Sequence, residues 1–245
     1  MATIDKSDAA SLYDEEGFPW LENGDRMDQK TFHERYLKTP EGFKAELIGG
    51  VVYIMTSPLK NRHGRSDARA TAWLVYYSTA TPGTEVQSNT TTILGEESEP
   101  QPDSALFILA EFGGQTHDGE GEEDYTYGAP ELIVEAAYSS HSIDLGAKFR
   151  DYERAGVREY IVLNLKKKAV SWFELRDGRF EPLPADLDGL FRSRVFPGLW
   201  LDPAALFRDD KPALIAALQR GLASPEHAAF VAELERRRVE RAGPA

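Results

Sequence analysis

The strongest constraint in the sequence lies between residues 130 and 164, where an apolar strand, an amphipathic helix and a second apolar strand follow one another. The strand reads PELIVEAA, the helix DLGAKFRDYERA (Asp144 to Ala155) and the second strand REYIVLN, with Gly156 placed to stop the helix. Strand, helix, strand with a right-handed crossover is the α/β signature. The same segment holds an anomaly. Glu135 stands inside LIVEAA, where its neighbours predict burial on at least one face. A carboxylate there needs a partner, a metal ion or a raised pKa. The alternative is an edge strand with Glu135 facing water.

The flanking sequence supplies the rest of an α/β (α+β) layout. Asp28 can cap a short helix running to Leu37. KAELI and VVYIM, joined by Gly49-Gly50, read as an N-terminal hairpin, because two glycines suit the mirror-image turns of tight hairpins. Apolar residues at helical spacing (Ala68, Ala72, Val75, Tyr76) predict a helix from about Asn61 to Ser78, ended by Pro82-Gly83. TEVQSN, TTTIL and PDSALFIL read as strands, and residues 111–128 as a polar, glycine-rich loop. KKAVSWFEL and GRFEPL form a second hairpin around Asp177-Gly178, and two helical stretches follow, roughly 203–221 and 225–240. The expected organisation is an irregular lead-in over 1–26, a mixed central sheet flanked by helices over 27–207, and a helical C-terminal extension over 208–245.

Composition narrows the chemistry. The chain has no cysteine, which excludes disulfides, thiolate metal sites and cysteine nucleophiles and is compatible with a reducing cytoplasm. No apolar run approaches the roughly 20 residues of a bilayer span, and the polar, acidic start does not read as a secretory signal. A cytoplasmic protein without a membrane partner is expected. The net charge of −13 argues against a general nucleic-acid-binding face. Its distribution is uneven: residues 51–130 carry −8, whereas residues 131–170 carry +1. A locally basic patch built from Arg62, Arg65, Lys148 and Arg150 is expected beside the cleft.

Asp103 opens a strand directly after Pro102. By itself it could cap a turn. Paired with Glu135 on an adjacent strand, it could hold a single divalent cation, since Mg²⁺ and Mn²⁺ take one or two carboxylates and keep several waters. Lys148 lies early in the helix after the Glu135 strand and could be turned back over the site or be an ordinary surface lysine. Tyr152, four residues on, shares its face and reads as packing. Glu46 lies in the first hairpin and His63 near the start of the first long helix. Arg62 and Arg65 could touch phosphates there. His141 falls at the mouth of the same cleft, while His33, His117 and His227 lack companions at metal-ligand spacing.

From about Met27 to Phe207 the chain resembles a large bacterial group of restriction-endonuclease-like proteins (Uma-type), a branch of the PD-(D/E)XK nuclease superfamily. The matching pieces are AELIGGVVYIM, the SPLKNRHG turn, QPDSALF, PELIVEAAYSS, KFRDYERAGVREYIVLN and VFPGLWLDPAALF. The resemblance implies a restriction-endonuclease-like core and a Mg²⁺- or Mn²⁺-dependent endonuclease acting on nucleic acid, DNA first. It makes Asp103 and Glu135 the metal ligands. The superfamily lysine often stands two residues beyond the glutamate, where this chain has Ala137. The branches that carry it on the following helix point to Lys148. Glu46 and His63 are implied to line the site, with Glu46 a third metal ligand. A homodimer would suit a double-strand cutter, and the tail could serve dimerisation or a small protein partner. The contrasting reading is a non-catalytic interaction or nucleic-acid-binding module on the same fold.

Overall fold

The computed structural model describes residues 20–55, 61–119, 124–137 and 143–242, apart from the side chains of Arg62 and His63. The chain enters through α1 (Gln29–Tyr36), whose cap is the Asp28 carboxylate accepting from the Thr31 backbone N–H at 2.7 Å. The hairpin β1 (Ala45–Ile48) and β2 (Val51–Ile54) turns through Gly49 and Gly50, both at positive φ (58° and 73°), as a two-residue mirror-image turn requires. Strand alternation divides β1. Ala45 and Leu47 pack with Phe32 and Val52 in a small core under α1, and Glu46 between them points the other way.

The long helix α2 (Asn61–Thr79) leads to β3 (Thr84–Gln87), the short β4 (Thr92–Ile93) and β5 (Ser104–Ile108). Within the 111–128 loop, β6 (His117–Asp118) pairs with β7 (Thr126–Tyr127), and β7 pairs with β4. The loop's residues 120–123 lie outside the described residues, as do lead-in residues 1–19. Next come β8 (Leu132–Ala137), a wide π-type turn over Asp144–Lys148 that runs into α3 (Phe149–Ala155), and β9 (Glu159–Asn164). The hairpin β10 (Ala169–Arg176) and β11 (Arg179–Pro182), the small pair β12 (Phe191–Arg192) and β13 (Trp200–Leu201), and the helices α4 (Pro203–Arg208), α5 (Lys211–Leu222) and α6 (Pro225–Ala242) complete the chain.

The central sheet runs β11-β10-β9-β8-β5-β3. β8 and β9 are parallel, and the other neighbours are antiparallel. This is the mixed sheet between helices that the strand order implied. β8 is a central strand buried on both faces, not an edge. Leu132, Val134 and Ala136 pack toward α2 with Trp73, Leu74 and Tyr77. Ile133 and Ala137 pack toward α3 with Tyr152 and Tyr160. Period 2 puts Glu135 on the α3 face.

The C-terminal helices belong to this core. Leu214 and Leu218 of α5 and Leu234 of α6 join the same apolar cluster as Trp73, and the Trp73 indole donates to the Trp200 carbonyl at 3.0 Å. The break expected near 221 is preceded by another at Asp209, which takes φ 63° and ends α4, while the Asp210 carboxylate caps α5. Among the described residues, no helix is long and apolar enough to cross a membrane.

Candidate active site

Three elements converge on Glu135. The β5–β8 register pairs Ser104 with Val134, so continuing it by one residue sets Asp103 opposite Glu135. Parity puts both on the α3 face, Asp103 with Ala105 and Phe107, Glu135 with Ile133. The Asp103 carboxylate accepts from the Ala136 backbone N–H at 2.7 Å, which pins it to β8. Glu46 arrives from the hairpin because residues 97–101 run beside β1. Glu99 and Leu47 exchange backbone hydrogen bonds at 2.8 and 3.2 Å, and the Gln101 N–H donates to Glu46 Oε1 at 2.7 Å.

Lys148 closes the cluster. Its ammonium donates to Glu46 Oε1 and to Glu135 Oε1, both at 2.9 Å. Tyr152, one helical turn later, donates its hydroxyl to the same Glu135 oxygen at 2.9 Å. Glu46, Glu135 and Lys148 are all at most 4 % exposed. Lys148 reaches this depth because the chain enters α3 through the π-type turn, in which Asp144 and Lys148 are both buried. Such turns widen a helix locally and concentrate at functional sites.

The electrostatics follow from four carboxylates around one ammonium. Burial pushes the Glu135 carboxyl well above the ordinary carboxylate range. Lys148 opposes the rise, and Asp103, Asp144 and Glu46 add to it. Burial would lower the Lys148 ammonium, but Glu135, Glu46 and Asp144 together outweigh it and hold the lysine well above its usual value, hence charged. Burial first, then Glu135 and Glu46, keep the Tyr152 phenol protonated and therefore a donor.

The oxygen-only donor set suits a hard cation, and the ammonium between Glu46 and Glu135 marks where positive charge is stabilised. Among the described residues, no group of three or more histidine or carboxylate side chains is spaced to hold a metal ion. The geometry explains this: Lys148 fills the gap between Glu46 and Glu135, and one Asp103 oxygen is turned onto a backbone amide. Two carboxylates with waters completing the shell remain a fit for Mg²⁺.

The structure thus brings together Asp103, Glu135, Glu46 and Lys148 of the residues singled out in the sequence. His63 and Arg62 fall on the first turn of α2, and their side chains lie outside the described residues, as does His141. Arg65 lines a pocket with Arg69 and Lys168 rather than the carboxylate cluster. Lys148 adds nothing to a surface patch because it is buried and paired, while Arg150 is exposed. His33 does have a companion, Glu99, at 2.9 Å, and His227 lies 2.9 Å from Thr81. Sequence reasoning undervalued Tyr152, and its spacing of four from Lys148 was the available signal. It missed Asp144, which lies buried in the π-type turn.

The Uma2 family, described as "Putative restriction endonuclease", matches residues 30–204. The chain belongs to this family. The Uma2 match spans β1 through β13 and so contains every member of the cluster. In fold, the chain is similar to a crystal structure described as a putative nuclease belonging to DUF820 from Anabaena variabilis ATCC 29413. The TM-score is 0.56 at 16% identity, over 71% of this chain and 96% of that one. No curated protein is significantly similar to the chain.

Proposed function

We propose that the protein is a metal-dependent endonuclease that hydrolyses phosphodiester bonds in DNA. The observation that carries this reading is the placement of Asp103, just before β5 and bonded to the Ala136 amide of β8, beside Glu135, with Lys148 in direct contact with Glu135. Asp103 and Glu135 would hold a Mg²⁺ or Mn²⁺ ion, and Glu46 could complete the shell once Lys148 withdraws from it. When bound, the ion supplies an activated water and charge stabilisation at phosphorus. Lys148 then orients the attacking water or neutralises a phosphoryl oxygen. Tyr152 holds the Glu135 carboxylate in place through its hydroxyl. His63 stands on the first turn of α2 as a candidate for phosphate contact or proton transfer. The nuclease-like unit is proposed to span 27–207, with the helices beyond 208 packed onto it, and the protein is proposed to work in the cytoplasm.

The test is incubation of purified protein with plasmid, linear duplex, single-stranded DNA and RNA in Mg²⁺, Mn²⁺ or EDTA. Metal-dependent cleavage of DNA that is lost in Asp103→Asn and in Glu135→Gln is expected. Cleavage that survives EDTA, or that persists in both variants, overturns the assignment. A second reading, a non-catalytic nucleic-acid-binding or interaction module, draws on one feature: Lys148 satisfies Glu46 and Glu135 without any metal ion. Calorimetry with Mn²⁺ separates the two readings, because a pure scaffold has no reason to bind the ion through Asp103 and Glu135.

A further inference from the structure

In a chain carrying −13, several cations meet at one place. A pocket of about 330 Å³ lies between the N-terminal half of α2, the β9–β10 turn and the end of α4, floored by Leu165 and Phe207. Arg65, Arg69, Lys168 and Arg208 line it, with Asp209 as its carboxylate. Asp209 is engaged by Arg69 at 2.8 Å, and Arg69 also donates to the Leu206 carbonyl at 3.2 Å. This internal pair is neutral. Arg65, Lys168 and Arg208 are exposed, and among the described residues no carboxylate pairs with them. A second concavity, about 430 Å³, shares Arg65, Arg69 and Asp209 and adds Lys211. The two concavities share Arg65 and Arg69, so the cations extend beyond a single pocket.

The row flanks the end of the sheet that holds the carboxylate cluster. The Leu165 N–H donates to the Ala137 carbonyl at 3.0 Å, two residues beyond Glu135. On α2, Thr71 and Ser104 share a hydrogen bond at 2.7 Å, and Ser104 follows Asp103. The buried cluster lies on the α3 face of this sheet end, and the cations stand on the α2 face.

We infer that this row binds successive phosphates of a nucleic-acid backbone, to one side of the bond presented to Asp103 and Glu135. Only the second part rests on the nuclease reading. A row of cations over an apolar floor suits a chain of phosphates, whose binding releases counterions and so depends steeply on salt.

The test is fluorescence anisotropy with a labelled duplex and a labelled single strand, in EDTA so that no cleavage occurs, across a salt series. The probe variant combines Arg65→Gln, Lys168→Gln and Arg208→Gln. The control combines Lys30→Gln, Arg179→Gln and Arg220→Gln, exposed positions outside the pocket with the same change in net charge. Thermal melts confirm that both fold. The probe variant is expected to bind about tenfold or more weakly near 0.1 M salt, with the slope of log K against log salt reduced by about 2 to 3. The control is expected to behave as wild type. Absence of oligonucleotide binding by wild type overturns the inference. So does equal weakening in probe and control. Inorganic phosphate alone, titrated in a third arm, overturns it if it displaces the oligonucleotide at the same total phosphate concentration, since the pocket would then be a free-anion site. Binding that depends on the three cations, without cleavage in Mn²⁺, leaves this site standing and removes the nuclease reading. Cleavage in Mn²⁺ with probe-variant binding unchanged does the reverse.

Discussion

Replacing Lys148 by methionine tests the charge balance of the cluster directly. Methionine keeps much of the aliphatic stem and removes the ammonium that bridges Glu46 and Glu135 at 2.9 Å each. Both carboxylates are below 5 % exposed, so neither can recover its lost partner from bulk water. Removing one member of a buried ion pair costs about 3–5 kcal/mol, chiefly because the remaining charge is stranded. In a chain of 245 residues, each kcal/mol moves Tm by about 2–4 °C, so the apo variant should melt on the order of 10 °C below wild type near pH 8. Acid should relieve the deficit. The folded-state carboxyl of Glu135 is raised, and losing the ammonium raises it further. A raised acid contributes stability below its unfolded value and loses it as pH rises through its folded value, so the gap between variant and wild type should narrow from about pH 8 to about pH 6. Mn²⁺ should narrow it as well, by binding only the folded state where an ammonium no longer competes. Differential scanning calorimetry of both proteins at the two pH values, with Mn²⁺ and with EDTA, provides the readout. A Tm within about 3 °C of wild type near pH 8, or a deficit that grows on acidification, would refute the reasoning.

Three further outcomes follow from the same geometry. Tyr152→Phe removes one of the two donors to Glu135 Oε1 among the described residues and should cost about 1–3 kcal/mol in a urea melt, whereas an unchanged midpoint would mean the hydroxyl does not hold the carboxylate. Glu159 is fully buried and accepts from Ser193 Oγ, Arg194 N–H and Val195 N–H; burial first pushes its carboxyl up to about 7, against those hydrogen bonds. Its contribution is present below the ordinary value near 4.5 and lost as pH rises through about 7, a swing of about 3 kcal/mol, so Glu159→Gln should flatten stability between pH 5 and pH 8, and an equally steep wild-type and variant profile would exclude Glu159 as the source. Leu234→Ala in α6 empties a fully buried position of the main core and should cost about 2–5 kcal/mol, while a loss under about 1 kcal/mol would show the tail to be energetically separate from the sheet.

Much of this was legible from local chemistry. The Asp28 cap needs a short side-chain acceptor, the Gly49-Gly50 turn and the Gly156 stop need positive φ, and each stands where the sequence put it. Asp103 and Glu135 were legible as a pair because each stands in or beside an apolar strand and the resemblance matched both to the family's acidic positions. What stayed hidden depends on partners far apart in sequence. The tail reads as an amphipathic extension, yet Leu214, Leu218 and Leu234 find their apolar partners on α2 and the sheet. His33 looked isolated because Glu99 lies 66 residues away. Arg65 and Lys168 are about a hundred positions apart and meet only because α2 crosses the end of β9.

The position of the lysine has a steric reason that joins these observations. Two residues beyond Glu135 stands Ala137, on the same face of β8 and fully buried against Tyr152 and Tyr160. The two tyrosine rings pack edge to face with centroids 5.1 Å apart, and a lysine at that position would have to displace them. Tyr152 cannot be displaced without also removing its hydroxyl from Glu135. The space around that strand position is thus filled by the same residue that orients the glutamate, and the cation that meets Glu135 comes from α3. An ordinary α-helical first turn would repeat every 3.6 residues. Lys148 and Tyr152 keep that ordinary spacing, four residues and one turn apart, with both polar atoms on one Glu135 oxygen. Ala137, the tyrosine pair and Lys148 are thus one arrangement, and placing a lysine at 137 should fail to rescue Lys148→Met unless Tyr152 is reduced as well.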